Sequence, residues 1–395
     1  MISDSDSSSI QLGTRLTVEI EDIAFGGEGV ARVDGLVIFV PFVAIGETIE
    51  TEITEVKNQY ARGQLLSILN PAPERVEAPC PYFTQCGGCQ YQHLNYDTQL
   101  TVKHRQIQEI FQRIGKFSPE VVEPIIPCPS PYGYRNRVMF RAQWDKFRKR
   151  MGVGYLRRES RLIVDVEECL IAEPELNEAL THARIDPPRK QGVKLVFRKY
   201  PEDWILPEHS FFQNNHHLLP ELVNTVRERI RQAGVRHLID TYCGIGFFGI
   251  EVSDAVESFV GIELDKSAIN AARENLVKRN ISNGEFLYGK TEELLPEALK
   301  KFSADHTSVI LDPPRRGCHS EGLDLLKQTA PKQIIYVSCH PATLARDLNN
   351  LCDSGVYELK KMIPLDMFPQ TQHVECVADL RRIGTLNTEE KKHSD

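Results

Sequence analysis

Two late segments constrain the fold more than anything else in the chain. Val309-Ile310-Leu311 runs into Asp312-Pro313-Pro314-Arg315, and Ile334-Ile335-Tyr336-Val337 runs into Ser338-Cys339-His340-Pro341-Ala342-Thr343. Short apolar, β-branched runs separated by helical patterns read as buried parallel strands. Ligands of open α/β sheets bind beyond the carboxyl ends of the strands, which is where Asp312 and Cys339 fall. Pro341 marks a helix start just after Cys339. The thiol is therefore expected to meet the positive end of a helix dipole, which lowers a cysteine pKa and favours the thiolate. A small core cysteine at a strand end is the plainer alternative; the neighbouring Asp-Pro-Pro run favours a nucleophile.

At 395 residues the chain is too long for one small core, and two or three domains are expected. No apolar stretch approaches the ~20 residues that span a bilayer. Met1 to Ser9 is Ser/Asp-rich and lacks the basic and apolar regions of a signal peptide. A cytoplasmic location is expected, where the ten cysteines stay reduced unless they hold metal. A net charge of −8 argues against nucleic acid, but the average conceals one stretch. Between Arg135 and Arg161 ten Arg/Lys residues face only Asp145 and Glu159, with Trp144, Phe147 and Tyr155 interleaved. Such a segment suits phosphate contacts and base stacking; a solvated charged face is the alternative.

From about Leu12 to Leu69, β-type runs such as Leu16–Ile20, Leu36–Val40 and Thr48–Ile53 alternate with glycine turns. Five such strands suggest a small barrel of the OB type over residues 10–72. Pro71, Pro73 and Pro79 mark a linker into a central α+β region over 73–205, with a helix from Tyr96 to about Gly115 that could pack on the catalytic domain. Strands are expected around Val138–Phe140 and Leu195–Phe197. From 206 to 385 the pattern is strand, helix, strand, helix to the end, and Glu389–Asp395 is polar and expected to fray.

Cys80, Cys86 and Cys89 are spaced C-x5-C-x2-C around Gly87-Gly88, where glycines let the backbone wrap a metal tightly. Zinc or an iron–sulfur cluster normally needs a fourth protein ligand. Cys169 is preferred to Cys128, which lies in a proline-dense linker less able to fold back. Spacing alone leaves zinc and iron–sulfur open.

His237-Leu238-Ile239-Asp240-Thr241-Tyr242-Cys243-Gly244-Ile245-Gly246 is an apolar strand entering a glycine turn. A second strand, Phe259–Glu263, ends in an acid about 20 residues on, placed to accept both hydroxyls of a ribose. The sequence Gly244-Ile245-Gly246-Phe247-Phe248-Gly249 alone leaves nicotinamide and flavin open. The Asp-Pro-Pro run, for which a dehydrogenase has no use at that strand, favours S-adenosylmethionine.

Taken in order, these motifs resemble the RNA uracil-C5 methyltransferase family: a small barrel with Gly27-Glu28-Gly29-Val30-Ala31-Arg32, a TRAM-like segment, then the cysteine cluster, Asp-x-Tyr-Cys-Gly-x-Gly, Asp-Pro-Pro-Arg, Ser-Cys-x-Pro-Ala-Thr and His373-Val374-Glu375. The chain is most similar to the bacterial type that carries a TRAM domain and a 4Fe-4S cluster and modifies 23S rRNA. The resemblance implies a Rossmann-like α/β methyltransferase domain, an N-terminal OB-like TRAM domain and a central iron–sulfur domain. It implies Cys80, Cys86, Cys89 and Cys169 as cluster ligands. Gln213, Tyr242, Glu263 and Asp312 are implied as S-adenosylmethionine contacts, Cys339 as nucleophile and Glu375 as base. RNA is the implied partner, 23S rRNA first and the T-loop of tRNA second, with no membrane and no stable protein partner. Phe247 departs from the small or polar residue usual there.

The chemistry needs these residue types. Uracil C5 is too weak a nucleophile for a methyl sulfonium; a thiolate adding at C6 creates an enolate that carries electron density to C5. A base must then remove the C5 proton before the thiol leaves, and partial burial of Glu375 suits that task. The target base has to be unpaired or flipped out. Three rivals differ in their motifs. Radical methylthiotransferases need C-x3-C-x2-C, amino-group methyltransferases place an aromatic where Arg315 stands, and a non-catalytic RNA-binding protein would not need Cys339 and Glu375.

Overall fold

The computed structural model describes residues 10–384, so Met1–Ser9 and Glu389–Asp395 lie outside the described residues. Two compact units are present. The first holds the described residues up to Gln106 with Val138–Phe197 and Gln370–Gln372; the second holds Ile107–Arg137, Arg198–Pro369 and the described residues from His373 on.

The first unit opens with six strands: β1 (Arg15–Glu19), β2 (Asp22–Ile23), β3 (Glu28–Val33), β4 (Leu36–Pro41), β5 (Thr48–Val56) and β6 (Tyr60–Asn70). They form one sheet in the order β1-β5-β6-β4-β3-β2. The small OB-like barrel expected from five strands is found as one six-stranded half-barrel. Register shifts between β5 and β6 at Thr48/Ile49, Glu50/Thr51 and Ile53/Glu55 put the curl into the sheet. Alternation then sends Val18, Ile38, Val40, Ile49 and Ile53 into one core.

Helix α1 (Tyr96–Ile110) continues as a π-turn over Phe111–Gly115, and Lys116 ends it in the left-handed region. That last turn belongs to the second unit, where a side chain at Gly115 would press on Phe117 and approach Ala345.

The first unit's other sheet runs β10-β7-β8-β9. Its strands are β7 (Arg137–Asp145), β8 (Arg150–Leu156), β9 (Ile163–Asp165) and β10 (Lys194–Arg198), with α2 (Pro174–Ile185) between the last two in sequence. Val138, Phe140, Val153, Leu176 and Leu180 form its core.

The second unit is doubly wound. Chain order is α3 (Leu219–Ala233), β11 (His237–Thr241), α4 (Phe247–Glu251), β12 (Ser258–Glu263), α5 (Lys266–Lys278), β13 (Gly284–Tyr288), α6 (Thr291–Lys301), β14 (Thr307–Leu311), α7 (Ser320–Thr329), β15 (Gln333–Ser338), α8 (Pro341–Asp353), β16 (Tyr357–Leu365) and β17 (Glu375–Arg382). The sheet order is β13-β12-β11-β14-β15-β17-β16. Strands β13 to β15 are parallel, whereas β17 runs antiparallel to both neighbours. The expected alternation to the end therefore fails at its last step, because no helix separates β16 from β17. Every residue of β14 and β15 is buried, which explains their unbroken apolar character. The order reverses beside β11, leaving a crevice at the carboxyl ends of β11 and β14.

Candidate functional site

The glycine turn after β11 is built by close approach. A Cβ at Gly246, which has φ +83°, would lie 2.4 Å from Phe286, so only glycine fits there. Asp240, fully buried, accepts the Gly249 amide through Oδ2 at 2.8 Å and pins the turn to its own strand. Burial pushes the Asp240 carboxyl up to about 8, and its Oδ1 has no partner among the described residues. Across the turn, Glu263 Oε2 accepts the Gly244 amide at 2.9 Å, while Oε1 takes those of Leu264 at 2.7 Å and Asp265 at 2.8 Å.

A pocket opens beside this turn, lined by Phe212, Gln213, Tyr242, Gly244, Phe247 and Asp312 among others. Gln213 is buried with Oε1 unpartnered, while its carbonyl accepts Asn136 Nδ2 at 2.8 Å. Tyr242, at φ +57°, donates its hydroxyl to Glu292 at 3.2 Å. Three of the four expected cofactor residues therefore share one pocket, and Glu263 braces the turn beneath it. Phe247 is a wall residue: its ring packs on Trp204, Phe212 and Phe248 at 5.1–5.6 Å. That aromatic wall has no signature in the sequence, because its members come from segments far apart.

The expected nucleophile and base meet on adjacent antiparallel strands. Ser338 pairs with Cys376, so Cys339, one residue beyond β15, comes opposite Glu375, the first residue of β17. Asp312 follows β14 on the other side of β15. Burial, with the Asp312 charge adding to it, pushes the Glu375 carboxyl well above the usual range, and burial lifts Asp312 to about 7. Cys339 departs from expectation. Burial and the Glu375 charge push its thiol up to about 11, against a hydrogen bond and positive charge from Arg315. Desolvation leads these causes, and one first-turn amide of α8 is already taken, the His340 ring accepting from Thr343 N at 3.3 Å. His373 lies 3.5 Å from Arg315 Nη2, a long contact, and packs on Phe368 at 6.0 Å.

Asp347 on α8, which sequence reasoning missed, fixes the loop that carries Arg315. Its buried carboxylate accepts the Cys318 amide at 2.9 Å and the Tyr336 hydroxyl at 2.7 Å, and pairs with Arg346. Arg346 in turn donates to the Arg316 carbonyl at 3.0 Å.

In the first unit, Cys86 and Cys169 pack against one hydrophobic cluster, although 83 positions separate them in sequence. Burial pushes the Cys89 thiol up to about 12, with Cys169, Cys86 and Cys80 all near enough to add to the shift. Among the described residues, no three His, Cys, Asp or Glu side chains come close enough to hold a single metal ion. Cys128 belongs to the other unit, where Asn215 Nδ2 donates to it at 3.3 Å. The basic stretch is partly self-neutralised: Arg150 pairs with Asp165 at 2.7 Å and Arg158 with Glu28 at 3.0 Å. Lys146, Phe147 and Lys149 lie at the β7–β8 turn, with the Phe147 ring 99% exposed.

Comparison with known proteins places the chain. Residues 191–383 match the tRNA (uracil-5-)-methyltransferase family, and residues 10–66 match the TRAM domain. An uncharacterized RNA methyltransferase of Thermosynechococcus vestitus is 30% identical, the match covering 93% of this chain and 98% of that one. One from Halalkalibacterium halodurans is 31% identical, over 92% and 96% respectively. Among solved structures, the Pyrococcus abyssi tRNA (uracil-54, C5)-methyltransferase, in complex with S-adenosyl-L-homocysteine, superposes with a TM-score of 0.71. It is 26% identical, with 92% of this chain and all of that one covered. Fold and site together define an S-adenosylmethionine-dependent methyltransferase. The chain belongs to the RNA uracil-C5 methyltransferase family.

Proposed function

We propose that this enzyme methylates C5 of a specific uridine in 23S rRNA through a covalent adduct between Cys339 and uracil C6, resolved by Glu375. The observation that supports this reading best is the pairing of the two residues across β15 and β17, with Arg315 on the thiol. S-adenosylmethionine, when bound, supplies the methyl group to C5. Gln213, Tyr242, Glu263 and Asp312 hold it: the unpartnered Gln213 Oε1 and the glycine turn offer polar groups that such a ligand would satisfy. The Cys339 thiol loses its proton to solvent, and the thiolate, stabilised by the Arg315 guanidinium, adds to C6 to give the enolate. Glu375 then removes the C5 proton. A carboxyl lifted by burial is the stronger base once ionised, and the adduct breaks as the thiolate leaves.

Cys80, Cys86, Cys89 and Cys169 would hold a 4Fe-4S cluster. What supports this set is that Cys169, Cys86 and Cys80 lie near enough to Cys89 to add to the shift that burial imposes on its thiol. Such a cluster would supply cross-links for the central region, more than chemistry. The β7–β8 turn and the TRAM sheet bind the substrate RNA, in the cytoplasm. No described helix is long and apolar enough to cross a membrane.

A tRNA T-loop uridine is the second reading, favoured by the likeness to the archaeal tRNA enzyme. Mass mapping of 5-methyluridine in both RNAs from a deletion strain separates them. Loss at one 23S rRNA position supports the first reading, loss in tRNA the second, and loss in neither refutes both.

A further inference from the structure

We propose that a cavity in the first unit, bounded by Phe42, Val76, Phe83, Thr84 and His93, is a second base pocket, taking an unpaired nucleobase of the substrate RNA other than the target uridine. The inference rests on the reading that RNA is the substrate.

The cavity measures about 370 Å³, within the range of small-ligand sites. Its rings are arranged for stacking. Phe42 meets Phe83 edge-on at 5.1 Å, and Phe83 stacks on His93 at 5.6 Å with 27° between the planes. Two wall residues sit in a backbone region that side chains avoid: Phe42 at φ +65° and Thr84 at φ +72°. Strain of this kind persists only where surrounding contacts impose it, and it gathers at binding sites. Those contacts are visible at Phe42. Its carbonyl accepts Arg75 Nη2 at 2.8 Å, and the Arg158 guanidinium lies over its ring at 5.1 Å.

His93 supplies the polar requirement. The ring is 2% exposed, and Nε2 lies 3.0 Å from the Val43 carbonyl. A carbonyl only accepts, so Nε2 carries the hydrogen and Nδ1 presents a bare lone pair. No described residue donates to Nδ1, and burial holds the ring neutral, with its pKa down to about 4. A buried acceptor without a donor is costly unless a ligand provides one. A nucleobase whose N–H edge reached Nδ1 would satisfy it while its faces stacked on the rings. An apolar protein side chain would fill the rings and leave Nδ1 unsatisfied.

The test uses the full chain with rRNA and tRNA from a deletion strain. Val76→Trp fills the cavity without removing a side-chain hydrogen bond; Ala78→Trp, at another lining position, serves if the first misfolds. Losing one stacked base should raise KM for RNA by about tenfold, with kcat and KM for S-adenosylmethionine unchanged. A photoreactive p-benzoylphenylalanine in place of Val76 should crosslink to a nucleotide distinct from the methylated uridine. Unchanged KM in a folded variant, a crosslink to the methylated uridine itself, or no crosslink to RNA overturns the pocket. If instead the wild type methylates neither RNA, it is the reading of RNA as substrate that fails.

Discussion

Buried acids of the first unit and those at the strand-end rim of the second are treated in opposite ways. In the first, Glu47 is fully buried, yet the hydrogen bond and charge of Arg75, with the amides of Ala44 and Ala72, outweigh burial and hold its carboxyl below the usual range. Asp165 is likewise ringed by Arg148, Arg150 and Arg184. In the second, Asp240, Asp312 and Glu375 cluster at the carboxyl ends of the sheet, and burial lifts all three. Only Glu375 has a cation pulling the other way, and Arg315 does not prevail. Acids matched by arginines hold a fold together. Acids left unmatched are the kind from which reactive sites are built, and the proposed mechanism draws on Glu375 among them.

This contrast can be broken by experiment. The largest effect is expected at the reacting pair. Cys339→Ala should abolish transfer and trap no RNA. Glu375→Gln should cut turnover by about 10²–10⁴-fold and accumulate a methyl-labelled protein–RNA adduct on denaturing gels. Normal turnover in either variant ends the proposed mechanism. Next, Glu47→Ala should cost about 3 kcal/mol in denaturant unfolding, because Arg75 loses its partner, while kcat is unchanged; a variant as stable as wild type would erase the distinction.

The double reversal Lys146→Glu with Lys149→Glu spares the Asp165 network. It should weaken RNA binding about tenfold at moderate salt and flatten its salt dependence, leaving cofactor affinity intact. Unaltered affinity would make the turn a solvated face. Asp347→Asn should lower kcat about tenfold by loosening the Arg315 loop, and it should move the pH–rate profile towards alkaline values, since Arg315 restrains the Cys339 thiol. A purely structural Asp347 would leave that profile in place.

The smallest effect concerns pH and stability. A carboxyl whose folded pKa is raised binds more protons folded than unfolded, so stability falls as pH rises between the two values. For Asp240 that window runs from its ordinary 3.8 to about 8. The wild-type melting temperature should fall by a few degrees across it, with a shallower slope in Asp240→Asn. Equal slopes would mean that Asp240 is ionised throughout.

Much of the reactive rim is legible in the sequence, because central parallel strands are apolar on both faces and each ends at a polar motif. Asp312, Cys339 and Glu375 fall at strand ends as expected. What is not legible depends on pairing at long range. The bulges that curl the N-terminal sheet follow from the register of β5 and β6. The Cys339 thiol is raised by its own burial and then by the charge of Glu375, which comes from a strand remote in sequence. Asp347 reads as one more helical acid until Tyr336, Cys318 and Arg346 are seen around it.

The reversed direction of β17 has a consequence for how this site tolerates change. Because the strand enters the sheet at the reactive rim, Glu375 is delivered by its first residue, and its position depends on the count of hydrogen-bonded pairs with β15. A slip of one residue would present Cys376 where the carboxylate stands and turn Glu375 to the opposite face. Changes in length between β16 and β17 are therefore a matter of phase. The stretch of 366–374 can lengthen or shorten only while the ladder beyond it keeps step, and a one-residue slip within the ladder would take Glu375 away from Cys339.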